Sequence, residues 1–410
     1  MDQCLRVETG YGCLESRVFA NGHVAIFGKG IKNSRFGDLC FLGENANRSD
    51  GHVARTVQDQ GCICKAPWRY NGHVTSILDV AKRAGVSPTT AKRAVRAPHL
   101  LTQTTLERVQ KAILELNYEP DRTAGALRRG HSHTIGLIVG NIIEPFFAQL
   151  TRTIAKAVHA QGYALIVADN EYDTNLEIEH LRMFHGQRVS GLIIRSAFGS
   201  GNLEYLQRLH DQGAYILEID NFVNSSPFGH IMLDNDGGVL MGVKYLHDLG
   251  HKRIAALTVY DAKRLQDERG EAFPRAMREL GLKLPKTYQR STTLSEEGGY
   301  RSTLELLRLP EPPTAIFSMT GNEASGAFRA IKELGLRIPE DVSFLTFDDY
   351  SWTSLVDPPL DVITQPVDDM GLKAVDIVID AIERRDLEQI VRQRFPATLI
   401  RRGSCAAPGI

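Results

Sequence analysis

Cysteine is missing from most of the chain. Six cysteines occur in 410 residues, and none lies between Cys64 and Cys405. A folded body without cysteine is not held together by disulfides. The Cys62-Ile-Cys64 pair lacks the spacing of a zinc site, and no histidine or cysteine pair complements it. We therefore expect neither a disulfide framework nor a metal centre.

Long apolar runs and an export signal are also absent. No run reaches the roughly 18 apolar residues that suggest a membrane-spanning helix, and the N-terminus does not read as a basic segment followed by an apolar one. With 42% hydrophobic and 24% charged residues, the composition is typical of a globular protein. These features predict a cytoplasmic protein without membrane contact, and the length predicts two or three domains.

The segment SILDVAKRAGVSPTTAKRAV has the pattern of two short helices joined by a tight turn. Ser76 and Asp79 have the spacing of a capping box at the start of the first helix. Gly85 can end that helix, because glycine adopts the left-handed conformation at little cost. Ser87 caps the second helix, and Pro88 occupies its first position. The pattern predicts a DNA-binding helix–turn–helix, although an ordinary helical hairpin shares it.

The local charge favours DNA binding. Residues 74–131 contain ten lysines and arginines against five aspartates and glutamates, whereas the whole chain has a net charge of −1. A basic region on a nearly neutral protein is typical of phosphate binding.

Three segments carry a resemblance to the LacI family of bacterial transcription regulators. They read SILDVAKRAGVS, LTQTTLERVQKAILELNYEPDRTAGALRRG and HTIGLIVGNIIEPFFAQL, in the family's order. The resemblance extends from about Ser76 to Gly403. It implies an all-α helix–turn–helix headpiece joined to an α/β core of two doubly wound parallel-sheet subdomains, similar to periplasmic binding proteins. Short apolar runs alternate with amphipathic stretches in the core, as such parallel sheets require.

The resemblance also implies the domain boundaries. The predicted parts are a helix–turn–helix domain at 74–120, a hinge at 121–132, an effector-binding and dimerisation core at 133–403, and a tail at 404–410. The predicted core subdomains are roughly 133–232 with 361–390, and 233–360 with 391–403.

Residues 1–73 differ from the rest of the chain. They contain ten glycines and no sustained periodicity, which predicts loop or disorder. The family usually begins a few residues before its first helix, near Val74 in this chain, and valine is the upstream reading of a GTG start codon. We expect a disordered extension or a mis-called start, and the alternative is a small accessory domain.

The family's DNA contacts map onto the second helix and the hinge. The implied DNA-binding residues are Pro88, Thr89, Thr90, Lys92, Arg93, Arg96, Leu127 and Arg128. Among them Arg93 can bind a guanine edge through two hydrogen bonds, and Thr90 and Lys92 are better suited to phosphates. Leu127 has the position of the family's minor-groove wedge, although the segment could be a plain linker.

The family's ligand-binding cleft implies a second set of residues. Motif matches imply Phe146, Phe147, Arg269 and Asp348 as effector-binding residues. Trp352 is added because it follows Asp348, and Arg195 and Asp220 because they close predicted strands. The aromatic rings could stack on a ligand, but such residues are often part of the core. Arg269 has the position of an arginine that holds a hydroxyl, a carboxylate or a phosphate. The chain departs from the family at Thr320-Gly321, where members often have Asn-Asp, and this leaves the ligand open.

The sequence predicts a DNA-binding transcriptional regulator, most simply a repressor, controlled by a small molecule such as a sugar. The resemblance implies a homodimer on a palindromic operator, and the C-terminal RRGSCAAPGI has no leucine heptads for a tetramerising coiled coil. We expect no cofactor and no enzymatic activity. The alternatives are a solute-binding protein of a transport system, a sugar-modifying enzyme with a helical appendage, and a ligand-binding core with degenerate DNA binding.

Overall fold

The computed structural model describes residues 75–118, 132–197, 201–223, 225–259 and 267–409, together with the backbone of three strands nearer the N-terminus. The chain divides into two compact units, Met1–Tyr118 and Glu119–Ile410. Within the described ranges, no helix combines the length and the apolar character needed to cross a membrane.

The three N-terminal strands pair in an antiparallel sheet. They are β1 (Cys4–Thr9), β2 (Gly12–Val18) and β3 (Val24–Gly28). The prediction of loop or disorder is wrong for these backbone positions, because strands of five to seven residues are too short to show a sustained periodicity. That residues 1–73 are an extension or a mis-called start stays a prediction.

Three helices follow: α1 (Ile77–Ala84), α2 (Pro88–Arg96) and α3 (Gln103–Glu115). The predicted caps are confirmed: Ser76 and Asp79 form a capping box, and the Ser87 hydroxyl accepts the Thr90 amide hydrogen bond at 3.1 Å. Gly85 ends α1 with a φ of 64°. Val80 and Val109 are fully buried at the centre of this small core.

The first sheet of the core is parallel. It has the order β5-β4-β6-β7-β8-β14. Its strands are β4 (Thr134–Val139), β5 (Ala164–Asp169), β6 (Gly191–Ile194), β7 (Tyr215–Ile219), β8 (Gly229–Leu233) and β14 (Arg392–Phe395). Its helices are α4 (Pro145–Ala160), α5 (Thr174–Gln187), α6 (Leu203–Asp211) and α11 (Val367–Arg384).

The second sheet is parallel except at one edge, where β15 is antiparallel. It has the order β10-β9-β11-β12-β13-β15. Its strands are β9 (Ile254–Thr258), β10 (Gln289–Ser291), β11 (Ala315–Ser318), β12 (Ser343–Phe347), β13 (Asp361–Thr364) and β15 (Thr398–Ile400). Its helices are α7 (Asn235–Asp248), α8 (Glu268–Glu279), α9 (Glu296–Leu307) and α10 (Gly321–Glu333).

Two predicted subdomain boundaries are wrong by one strand each. β13 lies at 361–364 and pairs with β12 in the second sheet, although the sequence placed it in the first subdomain. β14 lies at 392–395 and pairs with β8 in the first sheet, although the sequence placed it in the second subdomain. The apolar pattern of a short strand does not identify its pairing partner, because that partner is far away in the sequence.

The predicted tail is integrated into the second sheet. The carbonyl of Ser404 accepts the Phe344 amide at 2.9 Å, and its hydroxyl accepts the Asp361 amide at 2.7 Å. Buried His251 lies 2.8 Å from the carbonyl oxygen of Ala406. These contacts fix the C-terminal residues against the sheet.

Candidate functional site

One face of α2 is exposed to solvent, and the other packs into the core of the helical unit. Ala91 and Ala94 are 0% and 8% exposed and pack inward. Thr89, Lys92 and Arg93 are exposed, and Pro88 shares that exposed surface at the start of the helix. Two cations and small polar groups near a helix N-terminus suit entry into the major groove.

Of the other predicted DNA contacts, the structure describes the side chain of Thr90 alone. Thr90 is half-buried, and its hydroxyl lies 2.8 Å from that of Ser87. The side chain of Arg96 lies outside the described residues, as do Leu127, Arg128 and nearly all of the predicted hinge.

Arg108 fixes the turn between the first two helices. Its Nη2 donates to the carbonyl oxygens of Ala84 and Gly85, at 2.6 Å and 3.0 Å. A charged donor strengthens these hydrogen bonds. Arg108 on α3 therefore sets the angle at which α2 leaves the turn, and it is a positioning residue that sequence reasoning missed.

We expect Arg108→Met to weaken binding of operator DNA by about threefold to tenfold, because a loosened turn no longer orients α2. Lys111→Met is the matched control, since it removes one exposed positive charge from the same helix. Fluorescence anisotropy with labelled DNA measures both affinities. Equal losses would show that the charge of Arg108 matters and its contact with the turn does not.

The second candidate site is a cleft in the core, lined from both sheets, with a volume of about 130 Å³. The lining residues follow the carboxyl ends of strands: Tyr172 follows β5, Arg195 follows β6, and Asp348 follows β12. Ligands of open parallel sheets bind at such strand ends.

The structure brings six of the seven predicted effector residues together in this cleft. They are Phe146, Phe147, Arg195, Asp220, Arg269 and Asp348. Trp352 does not line the cleft, because its ring packs 6.1 Å from that of Phe328, centroid to centroid, and its contact with an effector stays a prediction. A short 3₁₀ turn at Ser351–Ser354 carries it away, and Tyr350 lines the cleft in its place.

Backbone strain is concentrated at the cleft. Eight non-glycine residues within the described ranges have a positive φ, and four of them line the cleft. Asp220 and Asp348 are two of these, with φ values of 65° and 69°, each at the end of a strand in a different sheet. Such strain costs roughly 1–3 kcal/mol per residue and clusters at functional sites. The two aspartates are therefore held in place by the fold.

A polar network lines the side of the first sheet. The Tyr172 hydroxyl donates to Glu144 Oε1 at 2.6 Å, and the Arg195 guanidinium lies 4.7 Å from the centre of the Tyr172 ring. Arg195 Nε lies 3.5 Å from Asp220 Oδ2. Burial raises the pKa of Glu144 and of Asp220, and Arg195 opposes both shifts.

A second polar network lines the cleft on the side of the second sheet. Arg269 donates from Nε to Asn235 Oδ1 and from Nη1 to the Met319 carbonyl, both at 2.8 Å. Asn235 in turn donates to Glu268. Burial raises the pKa of Glu268, but hydrogen bonds from Arg394 and Asn235 outweigh it, so that the pKa is lowered overall. Glu268 is thus a paired anion.

At Thr320-Gly321, where the sequence differs from the family pattern, a neighbouring ring occupies the space that a side chain at position 321 would take. A Cβ atom on Gly321 would lie 2.4 Å from Cε2 of Tyr350, so the Tyr350 ring fills the space of the missing side chain. Tyr350 is 8% exposed. The two residues form a matched pair, and they narrow the cleft on the side of the second sheet.

We expect Gly321→Ala to destabilise the protein by about 1–3 kcal/mol, because the added methyl group overpacks against the Tyr350 ring. In a Tyr350→Ala background the same substitution should cost much less, since the obstructing ring is gone. Urea unfolding of the four proteins in this double-mutant cycle measures the coupling. Additive losses would contradict the pairing of the two residues.

Several lining residues were missed by sequence reasoning. They include Glu144, Tyr172, Asn221, Asn235, Asp267, Glu268, Thr320, Tyr350 and Gln365. The signal available for most of them was position, since each follows a strand or begins the next helix at the same edge of a sheet. Gln365 was missed because the strand that it follows, β13, was assigned to the wrong subdomain.

Comparison with known proteins gives a consistent result. Residues 76–121 match the family described as bacterial regulatory proteins, lacI family, and residues 243–405 match the periplasmic binding protein-like domain. The chain is 31% identical to the ribose operon repressor of Escherichia coli (strain K12) over 336 residues, which is 81% of this chain and 100% of that protein.

Two further proteins extend the comparison. The chain is 30% identical to the HTH-type transcriptional repressor PurR of Pasteurella multocida (strain Pm70) over 332 residues, 80% of this chain and 98% of that protein. The lac repressor dimer bound to operator and the anti-inducer ONPF superimposes with a TM-score of 0.72 at 26% identity, over 81% of this chain and 99% of that chain.

Proposed function

The chain belongs to the lacI family of bacterial regulatory proteins, and on that premise we propose that it is a transcriptional repressor controlled by a small molecule. α2 reads a DNA operator, and an effector bound in the cleft changes the affinity for that operator. The cleft carries the second half of this proposal, because it unites six predicted effector residues from two sheets.

The DNA half of the proposal rests on α2. Its inward face is alanine, and its outward face carries Lys92 and Arg93. We propose that Arg93 contacts a base edge and that Lys92 contacts phosphate. A homodimer would present two such helices to a palindromic site, as the dimeric lac repressor bound to operator illustrates. The protein would then act in the cytoplasm, where such DNA lies.

The effector half rests on the position of the cleft between two sheets. A ligand that contacts both Asp220 and Asp348 bridges the two subdomains and favours one relative orientation of them. The coupling between effector and operator is then reciprocal, typically about 1–3 kcal/mol.

A solute-binding protein is the second candidate for the core, but it leaves the helix–turn–helix without a role. The curated relatives are repressors rather than enzymes, and we infer that this chain has no catalytic activity.

The two halves of the proposal can be separated experimentally. The double variant Arg93→Ala/Leu127→Ala should lose operator binding while a cleft ligand still raises its thermal melting temperature. Asp348→Asn should show the opposite pattern, with operator binding retained and the ligand response reduced. Unchanged DNA affinity in the double variant would contradict the assignment of the DNA-reading residues.

A further inference from the structure

A buried carboxyl group lies behind the wall of the cleft that belongs to the first sheet. Glu177 is in the first turn of α5, its side chain is 0% exposed, and it does not line the cleft. Burial raises the pKa of Glu177 to about 7, although its hydrogen bonds and Arg195 oppose the shift. A buried carboxyl group is costly unless its oxygens have donors. Its hydrogen-bond partners therefore indicate what it does.

Both oxygens of Glu177 accept hydrogen bonds from other parts of the first subdomain. Oε2 accepts from the Ala197 backbone amide and from the Asn170 side-chain amide, both at 2.6 Å. Oε1 accepts from the side-chain amide of Asn202, which directly precedes α6. Asn170 directly follows β5, and Ala197 lies shortly after β6. Glu177 therefore fixes the chain at the carboxyl ends of two strands of the same sheet.

One set of these contacts fixes Arg195. Asn170 Nδ2 donates to the Arg195 carbonyl oxygen at 3.0 Å as well as to Glu177, and the Ala197 amide is bound just beyond it. These bonds hold the backbone that carries the guanidinium group. Arg195 Nε then lies 3.5 Å from Asp220 Oδ2 in the cleft.

The Asn170 side chain also fixes the turn that carries Tyr172. Glu171 and Tyr172 have φ values of 48° and 60°, a conformation that is strained for residues other than glycine. Asn170 Oδ1 accepts the Tyr172 amide at 3.0 Å. Because Nδ2 of the same side chain donates to Glu177, the orientation of Asn170 depends on Glu177. The position of Tyr172 in the cleft therefore depends on Glu177 as well.

We propose that Glu177 is a positioning residue of the cleft. Through Asn170 and Ala197 it holds Arg195 and Tyr172 in the places where they line the cleft, and it does not contact the effector itself. This inference rests on the proposed effector role of the cleft. Loss of Glu177 should weaken the response to an effector and leave operator binding unchanged, because α2 belongs to the other compact unit.

Hydrogen exchange in the full chain measures the contact with Ala197. Glu177→Met removes both acceptor oxygens with a side chain of similar length, and it should raise the exchange rate of the Ala197 amide by about tenfold. The Arg195 amide is the internal reference and should change far less, because it donates to the Ile138 carbonyl oxygen at 2.9 Å. Glu179→Met is the matched control at an exposed position of the same helix, and it should exchange like the wild type.

Glu177→Gln tests whether the lost hydrogen bonds cause the effect. Glutamine keeps one acceptor oxygen for Ala197 and Asn170. Its amide can donate to Asn202 Oδ1 once the Asn202 amide has turned over, since that oxygen is buried and has no hydrogen-bond partner among the described residues. We therefore expect the exchange rate of Ala197 to return to within about threefold of the wild-type rate.

The response to effectors is measured by fluorescence anisotropy with labelled operator DNA and a panel of sugars and nucleobases. For any compound that changes operator binding by the wild type, Glu177→Met should raise the concentration of half-maximal effect by about tenfold. The affinity for the operator without any compound should stay within about twofold of the wild-type value. A residue that only stabilised the fold would not separate these two quantities, and glutamine would not restore the first of them.

Unchanged exchange of the Ala197 amide in Glu177→Met would overturn the proposal, and so would exchange in Glu177→Gln that is as fast as in Glu177→Met. Equal half-maximal concentrations in wild type and Glu177→Met would do the same. If Glu177→Met does not fold, Asn202→Ala takes its place. It removes the donor to Oε1 and should raise the exchange rate of Ala197 by about threefold, and an unchanged rate would count against the proposal.

The failure of this proposal can be told apart from failure of the proposed function. If no compound changes operator binding by the wild type, the effector role of the cleft is wrong. The exchange rate of Ala197 needs neither DNA nor a compound, so it still decides whether Glu177 positions this wall of the cleft.

Discussion

Arg93→Ala is expected to lower the affinity for the specific operator by about 10- to 100-fold, which corresponds to one lost pair of base-edge hydrogen bonds. The Arg93 side chain is exposed on α2, and the helix is anchored from behind by Ala91 and Ala94. The helix should therefore stay folded in the variant. Affinity for unrelated DNA should fall far less, so that specificity is lost together with affinity.

Lys92→Ala separates the two kinds of contact. A lost phosphate contact should weaken binding to specific and unrelated DNA alike. It should also reduce the slope of log affinity against log salt concentration by about one. Anisotropy titrations at several salt concentrations, with operators that vary one base pair at a time, measure both effects. If Arg93→Ala behaves as Lys92→Ala does, Arg93 contacts phosphate and the base assignment is wrong.

Glu323→Gln is expected to stabilise the protein at pH 8 by about 2–4 kcal/mol and to have little effect at pH 4.5. Glu323 lies in the first turn of α10 and is 0% exposed. Neither carboxylate oxygen has a hydrogen-bond partner among the described residues. Burial, and then Asp267, raise its pKa from 4.5 to about 8.

The direction in which the free energy of unfolding changes with pH follows from proton binding. Between pH 4.5 and about 8 the folded protein keeps the Glu323 proton while the unfolded chain releases it, so the free energy of unfolding falls as the pH rises. Glutamine has the shape of the neutral acid and does not titrate. The variant should therefore lack this fall in the free energy of unfolding. Urea unfolding at pH 4.5 and pH 8 measures it, with the exposed Glu279→Gln as control. Parallel pH profiles in wild type and Glu323→Gln would contradict the prediction.

Local signals in the sequence predicted the helical unit well. Ser76, Gly85 and Ser87 act through backbone contacts within four residues of themselves, and all three caps are present. Strand-like runs such as 135–139 and 254–258 likewise became strands, because a fully buried strand needs a continuous apolar run.

The cleft was predicted only in part, because its geometry depends on distant pairing. Asp220 was chosen because it closes an apolar strand, and Asp348 because LTFDD matches a family motif. Trp352 was not expected to lie outside the cleft lining, but the short turn at Ser351–Ser354 places Tyr350 there instead. Tyr350 could not have been chosen without the structure, since its place depends on the missing side chain of Gly321.

The most direct test of the account is a fluorescence-anisotropy titration of the full chain against the DNA upstream of its own gene. It is run at two salt concentrations, with and without a panel of sugars and nucleobases. The account predicts saturable, sequence-selective binding that one of these compounds changes by about 5- to 150-fold. Weak binding that is equally strong on unrelated DNA, falls steeply with salt and responds to no compound would contradict it.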